Sequence, residues 1–124
     1  MSASVLQIIA MALCVASLRA ATLQERIDAA ARNEILYVEA GVHSGSIVLS
    51  KPLTLLGENG AEIHGNGNGN VITVSADDVT IHGLRITGSG LQLSDDNAAV
   101  FVTGNRVKIE NCVIGDSLHC VYLK

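Results

Sequence analysis

The stretch Val79-Thr80-Ile81-His82-Gly83-Leu84-Arg85-Ile86 and the stretch Val107-Lys108-Ile109-Glu110-Asn111-Cys112-Val113-Ile114 superpose without a gap, 28 residues apart. Each apolar position of the first falls on an apolar position of the second. Between the two short runs of each copy stands Gly83 or Asn111, the residue types that most readily take a positive φ. Each copy therefore reads as strand, tight corner, strand. A preceding copy is Leu53-Thr54-Leu55-Leu56-Gly57, then three extra residues, then Ala61-Glu62-Ile63. A second series, Ile47-Val48-Leu49, Ile72-Thr73-Val74, Val100-Phe101-Val102 and Val121-Tyr122-Leu123, recurs at spacings of 25, 28 and 21 residues. A unit repeated at this period cannot bury its apolar face alone and must stack on its neighbours.

Three short strands per unit, with no helix between them, predict an all-β fold: a right-handed parallel β-helix with three strands per turn. A β-sandwich does not explain a gapless match at a 28-residue period. Alternation within each run assigns the inward ladders. They are Ile47/Ile72/Val100/Val121 with Leu49/Val74/Val102/Leu123, then Leu53/Val79/Val107 with Leu55/Ile81/Ile109, then Ala61/Leu84/Cys112 with Ile63/Ile86/Ile114. Cys112 thus fills a leucine slot in the core. On the outside, Phe101 and Tyr122 stack above Thr73 and Val48, Glu62 pairs with Arg85, His82 faces Glu110, and Cys120 points out beside Tyr122.

Outward from the repeat, the ends take different characters. Residues 1–20 read as an export signal, because Ala3 to Leu18 carry no charge and the run is too short to span a membrane. Residues 21–34 read as an N-terminal cap helix. Thr22-Leu23-Gln24-Glu25 is a capping box, and Leu23, Ile27, Ala30 and Ala31 recur at helical spacing to about Arg32. This helix is expected to cover the open edge of the first turn. Residues 35–124 read as the first turns of the β-helix. The apolar strand Val121 to Leu123 near the last residue reads as a fragment of a longer protein.

Composition fits this picture and narrows the chemistry. The chain has 124 residues, 48% hydrophobic, 16% charged and 2% aromatic, so it is not disordered and its core must be aliphatic. A net charge of −4 leaves no basic footprint for nucleic acid. Three cysteines do not make a disulfide framework. No glycine-rich loop follows a strand and opens a helix, so nucleotide binding is not expected. The doublet Asp77-Asp78 reads as a turn and not as a carboxylate dyad, because adjacent strand residues point apart.

Loop polarity is concentrated in the connections that hold His43, the run His64 to Asn70, the segment Gly88 to Asn97, and Asp116 to His119. Among these, His119, Cys120 and Asp96 are the candidate metal ligands. They combine imidazole, thiolate and carboxylate within reach of one another on adjacent turns, a donor set that suits copper. The aromatic pair Phe101/Tyr122 is a candidate strip for sugar rings or a partner protein. No catalytic residues are expected.

The segments T-L-Q-E-R-I-D-A-A-A, I-L-Y-V-E-A-G-V, K-P-L-T-L-L-G-E, V-T-I-H-G-L-R-I-T-G-S-G and C-V-Y-L-K, in this order, resemble the NosD family. The resemblance runs from Thr22 onward, over about 100 residues. The family is periplasmic, has the pectin-lyase-like β-helix fold, and assists maturation of the copper centre of nitrous oxide reductase. The resemblance implies four partners: an ABC transporter ATPase, its membrane subunit, a copper donor protein and the apo-reductase. It also implies a non-enzymatic role. The other class open to such a fold is carbohydrate binding or polysaccharide cleavage.

Overall fold

Three four-stranded parallel sheets wrap one aliphatic core. The first runs β1 (Glu34–Val38), β4 (Leu53–Gly57), β7 (Thr80–His82), β10 (Lys108–Glu110). The second runs β2 (Gly41–Ser44), β5 (Ala61–His64), β8 (Arg85–Thr87), β11 (Val113–Gly115). The third runs β3 (Ile47–Leu49), β6 (Ile72–Val74), β9 (Ala98–Val102), β12 (His119–Leu123). Neighbours in each sheet come from successive turns, so the chain is a parallel β-solenoid of four turns. This is a computed structural model, and it describes residues 21–91 and 97–124.

The ladders lie in the register that the repeat dictates. Ile47 pairs with Ile72 and Ile72 with Val100, Leu55 with Ile81 and Ile81 with Ile109, and Ile63 with Ile86 and Ile86 with Ile114. Ile47, Leu49, Leu55, Ile63, Ile72, Val74, Ile81, Ile86 and Val100 have no solvent exposure. Each such side chain contributes on the order of 1.5–3 kcal/mol by leaving water. Cys112 is half-buried against this core, above Leu84.

The corner between the first and second sheets depends on backbone freedom. Gly83 has φ +74° and Asn111 φ +50°, the left-handed region that their residue types tolerate. A Cβ on Gly57, one turn below, would stand 2.5 Å from the carbonyl oxygen of Gly83. The corner between the third and first sheets repeats as a unit. Asp78 and Arg106, 28 residues apart, share φ near +60° (59° and 57°). Arg106 Nε donates to Asp78 at 2.7 Å, and the Asn105 amide donates to Asp77 at 2.8 Å. Arg106 holds the Asp78 carboxyl below its ordinary value.

The structure adds a turn that the repeat arithmetic misses on two walls. Strand β1 lies under β4 in the register Glu34↔Leu53, and β2 under β5 in the register Gly41↔Ala61. These offsets are 19 and 20 residues, well short of 28. His43 is consequently a strand residue in register with Ile63, not a loop residue, and its Nε2 meets the Glu39 carbonyl at 2.8 Å.

Helix α1 spans Leu23–Ala29 and closes the lower end. Thr22 caps it by accepting from the Glu25 amide at 3.1 Å. The helix stops at Ala29, three residues short of Arg32, because Ala30 is extended (ψ 148°) and the chain must turn into β1. Leu23 and Ile27 enter the core. Gln24 completes the edge of β3: its Oε1 accepts from the Val48 amide at 2.7 Å and its Nε2 donates to the Val48 carbonyl at 3.2 Å. Arg26 donates to the Tyr37 carbonyl and pairs with Glu39 at 2.8 Å. Burial pushes the Glu39 carboxyl up, but the Arg26 contacts outweigh it and leave the group below its ordinary value. Lys51 donates to the carbonyls of Asp28 and Ala30 at the end of the helix. The side chains of one short helix thus do the work of a missing strand. Among the described residues, no helix is long and apolar enough to cross a membrane.

Candidate functional site

A groove of about 470 Å³ opens at the corner between the first and second sheets. Its origin is local. Between β4 and β5 the chain spends Glu58, Asn59 and Gly60, whereas the equivalent corners above are the tight turns at Gly83 and Asn111. The longer corner stands out as a ledge, and the two tight ones recede above it. Gly57, Asn59, Gly83 and Asn111 line the corner side of the groove, and Arg85 and Val113 the side of the second sheet. This concavity lies within the size range of small-ligand sites.

Polar groups cluster beside it. Arg85 and Glu62 sit in register on adjacent turns with Nε and Oε1 3.4 Å apart, the surface pair that the ladder predicts. Glu62 Oε2 accepts from Thr87 Oγ1 at 3.1 Å, and Thr87 Oγ1 lies 2.7 Å from His64 Nδ1. Because the one hydroxyl proton of Thr87 goes to Glu62, Thr87 Oγ1 is left to accept from His64 Nδ1. Asn111 Nδ2 contacts His82 Nε2 at 2.9 Å. His82 therefore engages Asn111, not the Glu110 with which it shares register. Its Nδ1 is buried without a hydrogen-bond partner among the described residues.

On the third sheet the aromatic strip forms as the register requires. Phe101 and Tyr122 stack with centroids 5.4 Å apart and planes 3° apart, in a column above Thr73 and Val48. His119 tilts against Tyr122 at 52° and 5.4 Å. This geometry changes what the strip offers. Each ring covers one face of the other, so that face of each is closed to stacking on a sugar.

The three candidate metal ligands have different surroundings. His119 is half-buried in β12 against Tyr122. Cys120 is exposed in β12. It precedes Val121 as Ala99 precedes Val100 and Val71 precedes Ile72, and both Ala99 and Val71 are fully buried core residues. The bend entering this sheet turns two consecutive residues inward, which strict alternation does not allow for. Asp96 lies outside the described residues, as do residues 1–20. Among the described residues, no three His, Cys, Asp or Glu side chains converge on one point.

Asn59, Asn111 and the groove itself escape a reading based on ladders alone. The signal was present in the three-residue insertion after Gly57, which marks where one turn projects beyond its neighbours.

Comparison with known proteins places the chain beside NosD. It is 38% identical over 63 residues to the "Probable ABC transporter binding protein NosD" of Pseudomonas aeruginosa, a match covering 51% of this chain and 15% of that protein. It is 32% identical over 74 residues to the protein of the same name from Stutzerimonas stutzeri, covering 58% of this chain and 17% of the relative. The matched segment thus spans about a sixth of the length of these curated relatives. No family model matches the chain, and no solved structure matches it.

Proposed function

We propose that the chain is the N-terminal part of an exported, non-enzymatic scaffold of the NosD type. In this reading it serves copper-centre maturation of nitrous oxide reductase together with an ABC transporter. The observation that carries it is the similarity to two proteins named as ABC transporter binding proteins, over a segment that folds as a stacked β-solenoid. The partners are the transporter's ATPase and membrane subunits, a copper donor protein and the apo-reductase. A stacked coil suits this work, because each turn adds a rigid step of about 4.8 Å to a continuous face on which several proteins can align.

Export is the first requirement of the reading, and residues 1–20 supply the signal. Copper, if held by this segment, is held at His119 and Cys120 with Asp96. The test is complementation. The complete reading frame is expressed in a denitrifying strain that lacks its own NosD, and the copper content of its nitrous oxide reductase is measured. Restored copper loading, with the chain recovered from the periplasm, is the expected result. A folded, exported chain that leaves the reductase copper-free would overturn the role. A His119→Ala/Cys120→Ser variant then asks whether copper passes through this segment. Unchanged loading would remove those residues from the path.

A further inference from the structure

We propose that the groove above the Asn59 ledge binds a carboxylate that carries a neighbouring hydroxyl or amide N–H. The inference does not depend on the role proposed above. It begins with charge. The chain carries a net charge of −4, yet among the described residues the only formally charged one lining the groove is Arg85, and it is positive.

The guanidinium is also available. Its Nε lies 3.4 Å from Glu62 Oε1, and its side chain is 59% exposed. A pair of that length and exposure holds weakly, so a second carboxylate competes for the arginine at little cost. Among the described residues no hydrogen bond engages the two terminal nitrogens. Those nitrogens form the planar fork that matches a carboxylate in bidentate fashion. Glu62 is meanwhile held from its other oxygen by Thr87, which is 3% exposed.

Asn111 supplies the second half of the recognition. Asn111 lines the groove, its amide nitrogen contacts His82, and among the described residues no hydrogen bond engages its Oδ1, which is the acceptor this proposal assigns to the ligand. A carboxylate on the Arg85 fork with an O–H or N–H donor nearby satisfies both groups. Val113, 60% exposed, offers an apolar surface for the rest of the ligand. Two sources share this chemistry, a small hydroxy acid and the C-terminus of a peptide.

The test is an amide NMR titration of the full chain with lactate, with Ala-Ala-Ala bearing a free C-terminus, and with the same peptide amidated. The expected result is saturable shifts at Gly57, Gly83 and Asn111 with one or both carboxylates and none with the amidated peptide. Whichever of lactate and free peptide binds tighter identifies the source. Arg85→Gln is expected to weaken binding at least about tenfold, the loss of one charge-assisted pair. Arg85→Lys, which keeps the charge and loses the fork, falls between them. Glu62→Gln removes the competing carboxylate and is expected to tighten binding about threefold. Equal shifts with the amidated peptide, binding unchanged in a folded Arg85→Gln variant, or no saturable shift at the groove would each overturn the proposal.

Discussion

The two ends of the coil present the same ladders to opposite fates. At the lower end Ile47 and Leu49 have no exposure, while at the upper end their column mates Val121 and Leu123 are 40% and 73% exposed. Residue type and register are alike, so neither explains the difference. The lower turn is covered by helix α1, whose Leu23 and Ile27 join the core and whose Gln24 pairs with the free edge of β3. Nothing described lies over the upper turn. In a stacked coil, then, burial is conferred by the adjacent layer, and a strand residue is worth what its neighbours make of it.

The sharpest way to break this comparison is to cut the same side chain at both ends. Leu49→Ala is expected to cost about 2–5 kcal/mol, because a cavity opens in a closed core. In the 124-residue segment taken alone, Leu123→Ala is expected to stay within about 0.5 kcal/mol. Denaturant melts of the two variants check this, and equal losses would refute the argument. A second pair uses glycine. At Gly57 an added Cβ meets a backbone oxygen at 2.5 Å, whereas at Gly115 it meets nothing within 4 Å. Gly57→Ala should cost about 1–3 kcal/mol through overpacking, and Gly115→Ala almost nothing in packing.

Smaller effects refine the account of the sealed end. Gln24→Ala removes two hydrogen bonds to Val48 and should cost about 1–2 kcal/mol, with the loss seen as faster exchange of the Val48 amide. Smallest of all is the surface pair at the third corner. Arg106 keeps the Asp78 carboxyl ionised below its ordinary range, so the associated stability is present above that range and fades as pH falls through it. Arg106→Gln is expected to raise the Asp78 titration midpoint toward its ordinary value while leaving neutral-pH stability almost unchanged. A carboxyl-detected NMR titration reads this directly.

How much of this was legible in the sequence follows from the same physics. Ladders with aliphatic residues at every rung, such as Ile63/Ile86/Ile114, declare themselves through period and alternation. The Phe101/Tyr122 stack and the Glu62–Arg85 pair followed from register alone. The first turn did not, because Glu34, Gly41 and His43 occupy ladder positions there and break the apolar match. Val71 and Ala99 join the core beside Ile72 and Val100 because a corner turns two consecutive residues inward, which strict alternation does not record. His82 found Asn111 instead of Glu110 because strand register fixes backbones and leaves a ring free to swing to the next residue. The groove required comparing corner lengths between turns, which no single ladder records.

Residue-resolved amide hydrogen exchange tests the central claim most directly. The account predicts the slowest exchange in the middle turns, from β4 through β9, with the Val48 amide held by Gln24 protected to a similar degree. In the 124-residue segment taken alone, protection in β10, β11 and β12 should fall away, since no described layer stacks on them. Equal protection of the upper turn and the middle turns, or a Val48 amide that exchanges like an open edge, would contradict it.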